Sequence, residues 1–117
     1  MAKLKVKNAK GRVLADRADI ADTVAKRNTG LLKHTRLEPG EGLLIPTQAV
    51  HTFRMKFPID VLFLSRDRRV LKIRARMERG KIAMKLTAHS VLELPAGTAA
   101  ATGTEVGDRL EFEKYDG

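Results

Sequence analysis

The feature that most constrains the fold is the segment Ile59–Leu64, the most apolar run in the chain. It is short, rich in β-branched and aromatic side chains, and preceded by Pro58. Such a run is typical of a β-strand buried on both faces, because a half-exposed strand alternates apolar and polar residues. Proline cannot donate a ladder hydrogen bond, so Pro58 marks the entry to the strand. We therefore predict an interior strand at the centre of a sheet.

The other strand signals are short and separated by turns that contain glycine or proline. Leu4 and Val6 alternate with lysines in a first strand, and residues 12–15 return beside it after the Gly11 turn. Further strands are predicted over the segments 43–45, 70–76, 91–94 and 109–112. Many short strands at this spacing are typical of β-sandwiches and small barrels.

Two helices are predicted beside these strands. Asp19 or Asp22 caps a helix that ends near Leu32, and residues 96–102 form a short helix before Gly103. The length of 117 residues suits one hydrophobic core. The predicted fold is therefore α+β and β-rich, a single domain over residues 1–117, built as a compact β-barrel or β-sandwich with one or two short helices.

The net charge of +9 is concentrated in the middle of the chain. Residues 51–86 carry 11 Lys and Arg against 3 Asp and Glu, whereas residues 87–117 carry 2 against 6. A basic segment of this kind binds anions, nucleic acid or a membrane surface, or pairs with acidic residues of the same fold.

Several function classes find no support in the composition. The absence of cysteine excludes disulfides, thiolate metal sites and a cysteine nucleophile. His34, His51 and His89 share no metal-ligand spacing, so we predict no metal and no cofactor. The N-terminal segment lacks the apolar core of a signal peptide, and no run reaches transmembrane length. We expect a cytoplasmic protein, and the sequence assigns no oligomeric state.

Polar residues are packed immediately upstream of the predicted core strand. On an extended chain residues two apart share a face, so Thr52, Arg54 and Lys56 lie on one side. An arginine and a lysine on one side hold a carboxylate or a phosphate, the arginine through its planar fork and the lysine as a point charge. The sequence therefore predicts a polar groove for a small anionic ligand, with the candidate binding residues His51, Thr52, Arg54, Lys56 and Asp60.

Asp60 also has a structural interpretation, because it lies at the start of the buried strand. An unpaired carboxylate is costly to bury, so Asp60 is expected either to pair with Arg54 or Lys56 or to accept backbone N–H groups. An enzyme would instead need His51 and Asp60 within hydrogen-bond reach of each other and of a third group. No catalytic motif accompanies the pair, so no catalytic residue is assigned.

The segment after the central strand carries a second group of cations. Residues 70–76 alternate, which predicts Leu71, Ile73 and Ala75 on the buried face and a basic surface on the other, made by Lys72, Arg74 and Arg76. Such a surface either faces solvent and discourages pairing at the sheet edge, or contacts nucleic acid. The chain has no recognition-helix pattern and no aromatic pair on a basic strand, which favours the first interpretation.

Taken together, the motifs resemble those of the uncharacterised family known as domain of unknown function 192. The similar segments lie at 27–32, 41–44, 51–64, 91–97 and 106–110. The resemblance implies a compact β-rich domain without known catalytic residues, cofactor or substrate. Ser65 and Arg68 stand where the family carries Asp and Gly, and Arg54 replaces an aromatic residue or Gly. If Arg68 adopts a positive φ, the backbone conformation costs about 1–2 kcal/mol; the alternative is a rebuilt turn.

The best functional interpretation is a non-enzymatic binding or accessory module for an anionic ligand. The alternative is an enzyme of unassigned reaction that uses His51 and Asp60, and the third is nucleic-acid binding through the basic middle segment. A cleft that joins His51, Asp60 and a hydroxyl would favour the enzyme. A flat basic face would favour the nucleic-acid binder.

Overall fold

The computed structural model describes residues 2–21, 37–53 and 55–117, and strands are their main regular structure. In chain order the described elements are β1 (Ala2–Lys7), β2 (Val13–Ile20), β3 (Glu41–Ile45), β4 (Ala49–His51), β5 (Ile59–Leu64), β6 (Val70–Met77), β7 (Ile82–Met84), β8 (Ser90–Pro95), α1 (Thr98–Thr102) and β9 (Glu111–Asp116). Seven of these strands form one sheet in the order β6-β5-β8-β3-β2-β1-β9, while β4 and β7 form a two-stranded ribbon.

The strand β5 is an interior strand, as predicted. It pairs in antiparallel fashion with β6 on one side and β8 on the other, and all of its residues are buried. Side chains alternate across a strand, so Ile59, Val61 and Phe63 enter one apolar cluster while Leu62 and Leu64 enter another. The sheet is therefore covered on both faces at its centre.

The two apolar clusters lie on opposite faces of the seven-stranded sheet. One includes Val50 of β4 and Ala83 of β7, and we call it the ribbon-side core. The other includes Ala99 of α1 together with Leu4 and Leu110, and we call it the helix-side core. The β4–β7 ribbon thus packs on one face of the sheet and α1 on the other.

The seven-stranded sheet is open rather than closed. Its edge strands are β6 and β9, and the segments before them meet at one isolated bridge, between Arg69 and Arg109. The barrel alternative is therefore not supported, whereas a sandwich-like layering of the ribbon on the sheet fits the structure. The described residues make a β-rich compact single domain with one short helix.

Of the two residues predicted to cap the first helix, Asp19 is wrong. Asp19 lies in β2, where it pairs with Lys3 of β1 and receives a 2.6 Å contact from the Lys3 ammonium. The strand continues because Ile20 pairs in parallel with Leu44 of β3. The remainder of that prediction, from Asp22 to Leu32, falls outside the described residues. The second predicted helix is present as α1, and Gly103 follows it in the left-handed conformation with a φ of 65°.

The alternation predicted for β6 fails because the strand contains two bulges. The register between β5 and β6 shifts between Phe63 and Leu64 and again between Ile59 and Val61. As a result Leu71 packs against the ribbon-side core and Ile73 against the helix-side core, on opposite faces rather than on one. Each bulge adds one residue to β6 that has no partner in β5. Alternation counted from the sequence therefore no longer predicts which face a side chain is on.

Candidate functional site

The Asp60 carboxylate is fully buried and accepts three backbone hydrogen bonds. Its Oδ1 accepts from the N–H of Arg76 at 2.9 Å and of Gly97 at 3.1 Å, and its Oδ2 accepts from the N–H of Ala99 at 2.8 Å. Of the two arrangements expected from the sequence, the backbone one is therefore present. Hydrogen bonds from three N–H groups offset the cost of taking this charge out of water.

The strands around Asp60 explain why three donors converge on it. Alternation along β5 sends its side chain toward the helix-side core, where α1 begins. The bulge in β6 gives Arg76 a φ of 49°, and Gly97 before α1 has a φ of 93°. Gly97 has no side chain to cap the helix, so the carboxylate of Asp60 caps it from a different strand. Asp60 therefore has a structural role: its carboxylate links β6, the turn after β8 and α1.

Thr52 also has a structural role. It is fully buried, and its Oγ1 accepts the N–H of Lys81 at 2.9 Å while donating to the carbonyl of Glu78. Its own N–H donates to the carbonyl of Lys81 at 2.9 Å. These contacts tie the chain after β4 to the turn before β7, and they leave the hydroxyl no proton for a ligand.

The remaining residues of the predicted groove lie on the surface or outside the described part of the chain. His51 is exposed at the end of β4, and its ring stacks on Phe53 with centroids 5.0 Å apart. Lys56 is exposed, and Arg54 falls outside the described residues. His51 belongs to the ribbon and Asp60 faces α1, so the two lie on opposite sides of the sheet and do not form the pair that an enzyme would need.

The predicted basic surface on β6 is interrupted by the bulge before Met77, which separates Arg76 from Lys72 and Arg74. Lys72 donates to the carbonyl of Met84 at 3.0 Å, and its ammonium lies 5.7 Å from the centre of the Phe63 ring. Arg74 is half-buried opposite Val61. Arg76 is exposed beside Gly97. Lys72 and Arg74 therefore share the ribbon side of β6 as predicted, whereas Arg76 lies beyond the bulge and does not continue their row.

A cleft of about 290 Å³ opens between the turn after β5 and the strands β2, β3 and β9. Its apolar residues are Ile20, Leu44, Pro46 and Phe112. Its polar residues are Ser65, Arg66, Arg68, His89 and Ser90. None of these lining residues is acidic. The cleft thus combines an apolar surface with a strongly basic wall.

Arg68, which lines the cleft, has a strained backbone conformation. Its φ is 66°, and its N–H donates to the carbonyl of Ser65 at 3.0 Å, which closes the turn between β5 and β6. The guanidinium carbon lies 5.1 Å from the centre of the Phe112 ring. Of the two outcomes left open by the sequence, Arg68 therefore shows the positive φ rather than a rebuilt turn, and its side chain covers an aromatic ring.

Sequence reasoning missed this cleft because its residues come from five separate segments of the chain. His89, for example, is brought to the cleft by its backbone N–H, which donates to the carbonyl of Leu64 at 2.8 Å. The one local signal was Arg68, an arginine in a turn position that favours glycine.

A second feature missed by sequence reasoning is the buried carboxyl of Glu93 in β8. Its side chain makes no hydrogen bond or ion pair with the described residues, and it lies on the side of β8 that carries Val91 of the ribbon-side core. Burial raises the pKa of Glu93 from its ordinary value of 4.5 to about 7. A polar residue within an otherwise apolar strand was the available signal.

The described residues contain no group of three or more His, Asp or Glu side chains that could hold a metal ion. They also contain no helix that is long and apolar enough to cross a membrane.

Comparison with known proteins identifies a shared sequence pattern and a shared fold. The sequence model of the DUF192 family, described as Uncharacterized ACR, matches residues 5–112. A UPF0127 protein of Thermococcus sibiricus is 32% identical over 114 residues, which cover 92% of this chain and 73% of that protein.

Two crystal structures are similar over nearly the whole chain. A "putative transcription regulator" from Sinorhizobium meliloti superposes with a TM-score of 0.84 at 25% identity, covering 96% of this chain and 94% of that one. A protein of unknown function from Novosphingobium aromaticivorans gives a TM-score of 0.80 at 29% identity, covering 93% and 83%.

Replacing Asp60 with asparagine tests the structural role of the carboxylate. The asparagine side chain would keep one acceptor oxygen but turn an NH₂ group toward one of the N–H donors. We expect Asp60→Asn to lower the free energy of unfolding by about 2–4 kcal/mol in urea titrations at pH 7. Asp116→Asn, at an exposed position of β9, is the matched control and should change little. An Asp60→Asn protein as stable as the control would contradict this role.

Replacing Glu93 with glutamine tests the buried carboxyl. Because its folded-state pKa is raised, the folded protein binds a proton that the unfolded chain has already lost between pH 4.5 and about 7. The free energy of unfolding should therefore fall by on the order of 3 kcal/mol as pH rises through this interval, and stay low above it. In Glu93→Gln this fall should disappear, which makes the variant more stable than the unmodified chain at pH 8 but not at pH 4.5.

The control for this measurement is Glu113→Gln, at an exposed position of β9. Its stability should follow the unmodified chain at every pH. Parallel pH profiles for Glu93→Gln and the unmodified chain would show that Glu93 does not carry the effect.

Proposed function

The chain belongs to the DUF192 family, and we propose that this member is a non-enzymatic binding or accessory module for a small anion that carries an apolar group. The ligand would bind in the cleft beside Arg66, Arg68 and Phe112. One observation carries the proposal: Arg68 occupies a left-handed backbone position that suits glycine, and its guanidinium forms part of the cleft wall over Phe112. Strain retained at the wall of a cleft is typical of a functional position.

The charge of the cleft supports an anionic ligand. Arg66 and Arg68 make no ion pair within the described part of the chain, although Asp67 lies between them. The Asp67 carboxylate accepts a hydrogen bond from the Ser65 hydroxyl, which lowers the pKa of Asp67. This acid therefore bonds within its own turn rather than to Arg66 or Arg68. Two planar guanidinium groups thus remain available for a carboxylate or a phosphate.

The apolar part of the cleft supports a ligand that is more than an inorganic ion. Ile20, Leu44, Pro46 and Phe112 offer an apolar surface beside the cations. The volume of about 290 Å³ lies at the lower end of the range for small-molecule sites. A compact aromatic or branched aliphatic group bearing one anionic substituent matches both surfaces.

The groove first predicted at residues 51–60 supports this function less well. The polar atoms of Thr52 and Asp60 are occupied by backbone contacts, while His51 lies in the ribbon and Lys56 is exposed. The cleft at Arg68 is therefore the site that we propose for the anionic ligand.

A second candidate function is nucleic-acid binding. It is supported by the excess of cations in residues 51–86 and by the name of the similar Sinorhizobium meliloti structure, a "putative transcription regulator". Lys72 and Arg74 are half-buried and the bulge before Met77 separates Arg76 from them, which counts against a flat basic face built from β6. A binding titration with duplex and single-stranded oligonucleotides at two salt concentrations distinguishes it from the first candidate.

Replacing Arg68 with glycine separates binding from stability. Glycine relieves the positive φ but removes the guanidinium and its contact with Phe112, so we expect the free energy of unfolding to stay level or rise by up to about 1 kcal/mol. The affinity for phenyl phosphate, measured by calorimetry, should fall at least about tenfold, since a hydrogen bond to a charged group contributes about 1.5–3 kcal/mol.

Two further variants control this experiment. Arg12→Gln removes one charge from the exposed turn between β1 and β2, and it should leave phenyl phosphate binding unchanged. Arg68→Asn tolerates the same backbone conformation without the charge, and it should bind as weakly as Arg68→Gly. Equal affinity in all of these proteins would contradict the proposed site.

A further inference from the structure

The outer face of the β4–β7 ribbon is a surface that the cleft does not use. Val50 and Ala83 pair with each other and point into the ribbon-side core. Ala49 therefore pairs with Met84, and His51 with Ile82, on the side that points away from the sheet. The ribbon thus presents one face to the core and one face outward.

This outer face is strongly apolar for an exposed surface. The side chains that cover it are exposed large hydrophobics: Phe53 at 49%, Ile82 at 59%, Met84 at 50% and Leu86 at 80%. Ile82 lies beside His51, whose ring stacks on Phe53, and Met84 and Leu86 follow Ile82 at two-residue intervals along the chain. Single exposed hydrophobics are common, but a contiguous group marks an interaction surface. We call this group the ribbon patch.

Cations accompany the ribbon patch with little acid to balance them. Lys72 and Arg79 contact the patch, and Lys81 and Lys85 flank β7, whereas the segment 78–86 holds one acid, Glu78. None of these cations forms an ion pair with a described residue. Arg79 donates to the Phe53 carbonyl at 3.4 Å and Lys72 to the Met84 carbonyl at 3.0 Å, so both lie against the patch. The surface is both apolar and positively charged.

We propose that the ribbon patch binds the surface of an anionic lipid bilayer. The aliphatic and aromatic side chains would enter the boundary between headgroups and acyl chains, while the lysines contact lipid phosphates. Each strand of the ribbon has three residues, about 10 Å of chain, which suits shallow insertion rather than a span. This inference is independent of the cleft at Arg68.

The side chains of the patch favour lipid over the other occupants. Nucleic acid would need free π faces on which bases stack; Ile82, Met84 and Leu86 have none, and the ring of Phe53 already stacks with His51. A second copy of the chain would bring the same cations together, which like-charge repulsion opposes. Flexible aliphatic side chains beside lysines match acyl chains beneath phosphate groups.

Vesicle co-sedimentation tests the proposal. The unmodified chain should sediment with vesicles made of equal parts phosphatidylcholine and phosphatidylglycerol, and not with vesicles of phosphatidylcholine alone. The double variant Ile82→Ser/Met84→Ser should bind at least about tenfold more weakly, because it withdraws two apolar side chains from the bilayer. Lys81→Gln/Lys85→Gln should lose about tenfold or more, and added salt should weaken the unmodified chain in the same way.

The controls use residues away from the ribbon. Val106→Ser removes another exposed hydrophobic side chain, and Lys114→Gln removes another exposed cation; both should bind as the unmodified chain does. Thermal unfolding should be unchanged in all of these surface variants. No binding to the mixed vesicles, equal binding to both vesicle types, or ribbon variants that lose binding to a single-stranded oligonucleotide but not to vesicles would each overturn the proposal.

Discussion

The fold depends on the buried carboxylate of Asp60, because it joins three elements that no other described side chain connects. Its oxygens accept N–H groups from the bulge in β6, from the turn after β8 and from the first turn of α1. Two of the three donor residues, Arg76 and Gly97, have a positive φ. The carboxylate offsets the backbone strain there, and the strained backbone in turn supplies the hydrogen bonds that make the buried charge tolerable.

Asp60 and Glu93 are buried acidic residues on adjacent strands, but their hydrogen-bonding surroundings differ. Asp60 faces α1 and finds backbone donors, whereas Glu93 faces the ribbon-side core and finds none among the described residues. The three N–H donors replace the hydrogen bonds to water that the Asp60 carboxylate loses on burial. Glu93 is easier to bury protonated, which is why burial raises its pKa to about 7. Composition cannot separate these cases, because the difference lies in which face of the sheet each side chain enters.

The parts of the fold that follow from local pattern were predictable, and those set by register were not. An apolar six-residue run specifies β5, and glycines on either side of Thr98–Thr102 specify α1. The bulges in β6 depend on its pairing with β5, so counting in twos misplaced Ile73 relative to Leu71. Asp19 resembles a helix cap, yet its pairing with Lys3 keeps it in a strand. The cleft was invisible for the same reason, since only the sheet order brings Phe112 beside Arg68.

The division of the molecule into two faces also separates its two cationic surfaces. The cleft at Arg68 lies beside Ile20, Leu44 and Phe112, which pack against the helix-side core, whereas the ribbon patch lies over the ribbon-side core. The buried centre of the sheet stands between them, so a substitution on one surface has no direct contact with the other. Within the described residues, no acid forms an ion pair with a cation of either surface. Under the two proposals, each surface would attract its own anionic partner, and binding at one would not block the other.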